Sequence, residues 1–260
     1  MTQGEPVSPI PPPTRDAGAV GRPWGFWATF GFSVIVMMVQ VAAAVPVTLL
    51  FAAVIRITQP EPAAMEALRG LAANGLYLSV VLLVSTPPCV GLIVLLAWVR
   101  RQVPVGRYLG LGFPSAWRTA GWLGATVLFA AAATGVAVVV PDPMGAKLML
   151  QMYETSVFPP LMIVAFVLAA PLFEEFLFRG FLFEGIRRSR LGVVGAVVIS
   201  SAVWAAIHLH YGWISIGVLL CLGFLLSAAR LRTESVWICF LMHAVFNLIS
   251  MVQVMVAVHA

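Results

Sequence analysis

Long apolar runs separated by short polar breaks set the plan of the chain. One run extends from Phe26 to about Ile55, with Pro46 as a kink point. A second covers Leu76 to Trp98 and is interrupted by Pro87 and Pro88, and a third covers Trp122 to Val140. A fourth runs from Leu161 to about Ile186, a fifth from Gly192 to about His208, a sixth from Trp213 to Ala229 and a seventh from Val236 to about Val258. Most reach the roughly 20 residues that a helix needs to cross a bilayer. The links between the last three are very short, which forces antiparallel neighbours. Residues 1–23 are polar and proline-rich and read as a disordered tail. Trp24 and Trp27 mark an interface, Arg56 to Asn74 is a polar connection, and Ala146 to Thr155 fits a short amphipathic helix. The pattern predicts an all-α polytopic transmembrane bundle of about seven spans, or eight if the loop before Leu161 or the long first span divides. Residues 24–260 then form a single transmembrane domain.

Composition agrees. The 260 residues are 61% hydrophobic and 10% charged, against about 25% charged in a soluble domain. Such a chain cannot cover its surface with polar groups, so lipid must cover it. The net charge of +5 is then a matter of loop arginines facing an anionic leaflet, not of nucleic acid. With the tail inside, the inner segments carry two, four, three and two Lys or Arg, and the outer ones two, one, none and none. That asymmetry predicts a cytoplasmic amino terminus. Cys89, Cys221 and Cys239 lie in apolar runs without CxxC spacing and read as small buried hydrophobes. The apolar run after the tail is too long for a signal core, so no cleavable signal is predicted.

Against this background the ionisable groups stand out. Glu174, Glu175 and Arg179 sit in a run otherwise built of alanine, leucine and phenylalanine. A charge in such surroundings costs at least about 2.5–3.5 kcal/mol, so each is a functional candidate by default. His208, His243 and the strongly polar Asn247 join them from the last three spans. Glu175 and Arg179 are four apart and share a helix face, whereas Glu174 is rotated by about 100°. His243 and Asn247 are also four apart, and His208 follows Trp204 by four. Imidazoles, a carboxylate and an amide in a dry cavity can activate water and steady charge on a carbonyl oxygen. Two arrangements are chemically sensible. In one, Glu174, His208 and His243 hold a zinc ion with a fourth position for water. In the other, without metal, Glu174 and His208 take the proton from water while His243 and Asn247 form an oxyanion hole.

The order Glu174-Glu175-x-x-x-Arg179, Trp204-x-x-x-His208, His243-x-x-x-Asn247 resembles the CAAX-processing and bacteriocin-processing (CPBP, or Abi) family of intramembrane endopeptidases. The family pattern is EExxxR, FxxxH and HxxxN/D, so tryptophan stands for phenylalanine at position 204. The resemblance covers about residues 161–250, the expected catalytic part. It implies an integral membrane protease, in the plasma membrane of a prokaryote, that cleaves a peptide or lipidated protein substrate of CAAX-like or bacteriocin type. Glu174 would activate water, with Glu175 and Arg179 orienting the first pair, and zinc is compatible with the pattern but not required by it.

Each residue also has a plainer reading. Glu175–Arg179 fits a buried ion pair that sets helix packing, and His243 and Asn247 fit polar contacts between helices. A non-enzymatic immunity or scaffold protein, or a proton-coupled transporter, would use the same groups differently. His210 is expected to point away from His208, Glu184 to lie at the cytoplasmic surface, and His259 to sit in a solvated tail. Counted along the predicted spans, Glu174 falls near mid-membrane and His243 nearer the cytoplasmic side, while His208 lies at the far end of its helix. For the three to meet, helices must tilt or the fifth span must start deeper.

Overall fold

The computed structural model describes residues 23–259. The expected proline-rich tail lies, but for Pro23, outside the described residues. Among the described residues every regular element is helical. The long helices are α1 (Phe26–Thr58), α3 (Gly75–Val99), α5 (Ala116–Val139), α7 (Pro159–Arg187), α9 (Trp213–Thr233) and α10 (Val236–His259). All six are long and apolar enough to cross a membrane. Shorter helices are α2 (Ala63–Arg69), α4 (Val105–Leu109), α6 (Pro143–Glu154) and α8 (Gly192–Ala206). The Arg56–Asn74 connection is therefore partly helical.

Prolines do not break the spans. Pro46 lies inside α1, and Pro87 and Pro88 lie inside α3. In a bilayer the backbone groups that proline frees are met by neighbouring helices and by Ser or Thr side chains. Ser85 and Thr86, immediately before the α3 pair, are both buried, and the Thr86 hydroxyl donates to the carbonyl of Ala169 on α7 at 3.2 Å.

Helix α7 is the axis of the bundle. Within its most apolar 18 residues 61% are buried, against 11–33% in the other five long spans. It packs against α3, α8 and α10, while α1 lies mainly on α3 and α5 on α10. The main core gathers around its second half, from Phe173 to Ile186, with Tyr108, Leu109, Trp204, Leu222 and Met242. The phenylalanines of α7 are thus packing mass: Phe173, Phe176, Phe178, Phe181 and Phe183 are all at most 4% exposed. Small residues let the backbones close in. A Cβ at Gly185 would run into the side chain of Thr29 on α1, and one at Gly223 would sit 2.9 Å from Ser201 Cβ. This is how helices associate where no water drives them together.

Two stretches of α7, Val164–Ala169 and Phe176–Leu182, are π-helical. Such i→i+5 turns are rare and cluster at functional sites. Pro171 accounts for part of the first. It has no N–H, so the carbonyl five residues back, Phe166, loses its donor.

Helix α8 is the element that departs most from expectation. It ends at Ala206, not His208, and spans only 15 residues. At 1.5 Å per residue that is about 22 Å, short of the ~30 Å hydrocarbon core. Residues 207–211 leave it in a turn, closed by His208 N–H to Ala205 carbonyl at 3.0 Å and Tyr211 N–H to His208 carbonyl at 2.9 Å. The shortness removes the conflict between His208 and Glu174, because the turn that follows brings the His208 ring against Trp204, the same indole that holds Glu174.

Several surface assignments are corrected. Glu184 is 3% exposed, because Arg187 and Arg188 fold over it with three hydrogen bonds of 2.9–3.1 Å. Cys221 is exposed, on the outer face of α9, whereas Cys89 and Cys239 are buried. His259 is exposed but still belongs to α10.

Candidate active site

The site is best built outward from Arg179, on the second π-helical stretch of α7. Its guanidinium and the Glu175 carboxylate are both 0% exposed, and Nη1 donates to Glu175 Oε1 at 3.0 Å. A charge buried this deeply survives only if it is paired and further bonded. Two more contacts supply that. Nη2 reaches the Gly223 carbonyl at 3.5 Å, and the guanidinium lies over the indole of Trp204, 4.7 Å from the ring centroid. The second contact is a cation–π pair in a fully buried setting.

Glu175 also holds His243. Nδ1 of the imidazole lies 2.9 Å from the same Oε1 that Arg179 contacts. A carboxylate accepts, so Nδ1 carries a proton and Nε2 is turned elsewhere. Glu175 therefore sets both the tautomer and the orientation of His243, as carboxylates behind functional histidines do. The other oxygen of Glu175, Oε2, is buried without a hydrogen bond.

Glu174 goes to a different partner. Its Oε2 accepts from Trp204 Nε1 at 2.5 Å, on α8. One turn later, His208 Nδ1 lies 2.9 Å from the Trp204 carbonyl. A carbonyl only accepts, so this nitrogen also carries the proton and Nε2 is left open. The bond fits the local backbone: His208 N–H already goes to Ala205, so at the frayed end of α8 the Trp204 carbonyl is free for the ring. Both imidazoles stand edge-on to the same indole, at 5.3 Å for His208 and 5.2 Å for His243.

The structure thus brings Glu174, Glu175, Arg179, His208 and His243 around one tryptophan. It divides them into two hydrogen-bonded groups, Glu174–Trp204–His208 and Arg179–Glu175–His243. Asn247 belongs to neither. Its Nδ2 donates to the Phe166 carbonyl at 2.9 Å, the group that Pro171 leaves without a donor.

Among the described residues no group of three or more His, Cys, Asp or Glu is placed to hold a metal ion. Glu174, His208 and His243 make no hydrogen bond to one another. Two of their polar atoms face Trp204, and His243 Nδ1 faces Glu175. Among the described residues the three are thus not gathered around one point as zinc ligands, although Nε2 of both rings and Oε1 of Glu174 lie outside these bonds.

Residues 156–249 match the family described as Rce1-like, type II CAAX prenyl endopeptidase. The carboxy-terminal segment is Rce1-like. The resemblance read from the three motifs therefore holds over that segment, which is similar to type II CAAX prenyl endopeptidases. No curated protein and no solved structure matches the chain. The Rce1-like segment runs from the loop before α7 to the middle of α10, and so contains every group described above.

Two polar positions in or beside the Rce1-like segment escaped sequence reasoning, and a third was misplaced by it. Arg230 is 2% exposed and donates from Nε to the Arg179 carbonyl at 3.0 Å. It lies seven residues after Gly223, on the same face of α9, a register that marks it as inward-facing. Asp142 caps α6 by accepting from Gly145 N–H at 3.2 Å, and it holds the start of α9 through Ser215 N–H at 3.1 Å and Ser215 Oγ at 2.7 Å. An aspartate immediately before Pro143 is a helix-start signature that could have been read. Those hydrogen bonds, the Ser215 hydroxyl first, hold its carboxyl below the usual aspartate range.

His210 is the third. It does not point away on a helix, because the chain is in a turn there. Its ring lies 5.9 Å from that of His208 and 4.5 Å from that of Tyr211. Tyr211 in turn stacks on His208 at 6.0 Å. Burial, then the charge of Glu174, push its phenol up to about 12, so Tyr211 stays a neutral wall of the site.

Proposed function

We propose that the protein hydrolyses a peptide bond of a membrane-associated substrate, CAAX-like or of bacteriocin type, with water activated by Glu174. The observation that carries this reading is the division of labour between the adjacent glutamates. Glu175 is committed on one oxygen to a cation and an imidazole. Glu174 is held by one oxygen only, through Trp204, and Oε1 is left to accept a proton from water. His208, with its open Nε2 beside the same indole, is the second proton acceptor. His243, held by Glu175 and Arg179, steadies the developing alkoxide as an imidazolium whose Nε2 proton comes from solvent before the substrate binds.

The chemistry needs a water-poor setting, where fixed dipoles and charges act at full strength. The apolar wall from Phe173 to Phe183 supplies it. Each step uses only this chain's residues: Glu174 accepts the water proton, hydroxide adds to the carbonyl, and the protonated acid returns the proton to the leaving amine. The reading places the arginine-rich end of the bundle, where α1 begins, in the cytoplasm of a prokaryote, with the site opening to lipid and to peptide ends at that membrane.

The test is substitution with folding checked. Glu174→Ala, His208→Ala and His243→Ala should each abolish cleavage of a reporter peptide embedded in vesicles, while the protein still elutes and melts as a folded species. A folded Glu174→Ala protein with full activity would end the proposal.

A further inference from the structure

We infer that Trp204 is the positioning residue of Glu174: its indole N–H fixes the carboxylate, and its ring ties that carboxylate to the Arg179–Glu175–His243 group. The inference rests on Glu174 acting as the base. Three observations carry it. First, the indole N–H is a donor only, and it is spent on Glu174 Oε2 at 2.5 Å. A bond from a neutral donor to a carboxylate is among the stronger kinds. Second, the donor cannot drift. Trp204 is 0% exposed, with Arg179 over one face and the edges of His208 and His243 against it. Third, Glu174 is itself only partly buried and has no other hydrogen bond among the described residues, so without the indole its side chain would be free to rotate.

The groups facing Glu174 are few. Trp204 comes from α8 and donates to it, and Tyr211, from the turn after α8, feels its charge. Arg179 does not reach Glu174 directly, because its contacts go to Glu175, Gly223 and the indole face. The tryptophan thus touches both hydrogen-bonded groups. A phenylalanine here, as in the family pattern, would keep the packing and lose the N–H. In this chain, orientation of the base is a property of position 204.

The tether has a readout that does not depend on turnover. The protein has eight tryptophans, so indole-¹⁵N labelling in nanodiscs gives a small set of N–H signals. Loss of one in Trp204→Phe assigns it. In the full protein that signal should lie downfield, and Glu174→Leu should move it upfield while the others stay. In activity, Trp204→Phe should lower kcat by roughly ten- to a hundredfold with KM changed by no more than about twofold, the pattern of a lost orienting contact. If Trp204→Phe does not fold, the Glu174→Leu spectrum decides, since one indole signal must move far more than the rest. An unmoved indole spectrum, or Trp204→Phe with wild-type kcat, would overturn the inference. A shifted signal in a protein that cleaves nothing would leave the tether standing and remove only the function assigned to Glu174.

Discussion

Nδ1 of His243 and Nη1 of Arg179 meet the same oxygen of Glu175, at 2.9 and 3.0 Å. One buried atom thus joins α10 to α7 and accepts from both sides. The arrangement neutralises a carboxylate that lipid and protein have stripped of water, and it decides which nitrogen of His243 faces the substrate.

Removing one member of that triad should cost more than removing the charges together. Arg179→Met leaves Glu175 buried and uncompensated, a loss of about 3–5 kcal/mol. Combining Arg179→Met with Glu175→Leu should recover a large part of the melting temperature, though not the activity, because His243 loses its partner. Thermal melts of the single and double variants in one detergent give the coupling. Additive losses would show that the pair does not act as a unit.

Asn247 should prove a backbone support. Its amide meets the Phe166 carbonyl that Pro171 leaves without a donor. Asn247→Ala should therefore lower stability by about 1–3 kcal/mol. kcat per folded molecule should fall far less than in Glu174→Ala. If the melting temperature is unchanged and kcat collapses, Asn247 is instead serving the oxyanion.

Asp142 joins α6 to α9 as an ionised acceptor. Its folded pKa lies below the ordinary 3.8, so the stability it contributes is present above 3.8 and is lost as pH falls through the lower folded value. Asp142→Asn keeps an oxygen for the cap but loses the acceptor of the two Ser215 bonds, and should cost about 1 kcal/mol at neutral pH. It should also flatten the acid limb of the stability curve. Melting temperature against pH, between neutral and strongly acidic buffer, measures both effects. Parallel curves for the two proteins would refute the assignment.

Because no group of three or more His, Cys, Asp or Glu is assembled for a metal among the described residues, cleavage should continue after dialysis against a strong chelator. Elemental analysis of the purified protein should find no stoichiometric zinc. Activity lost on chelation and restored by zinc would mean that the three side chains regroup around an ion.

The division between sequence and tertiary structure falls where local geometry ends. Apolar runs of span length already determined a helical membrane protein, since a backbone in lipid must satisfy itself within the helix. The i,i+4 spacing already paired Glu175 with Arg179, because helical periodicity is a property of one segment. Three motifs in order marked the Rce1-like segment. What only the fold decided is which partner each group received across helices. That depended on the short α8, which holds Trp204 and His208 at the depth of Glu174, and on the π-helical turns and Pro171 in α7, which shift the register of everything after them. It depended as well on the covering of Glu184 by two arginines and on Arg230 reaching the Arg179 carbonyl. Relative depth and rotation of separate helices are set by side-chain packing summed over the whole bundle, and no spacing within one segment encodes that sum.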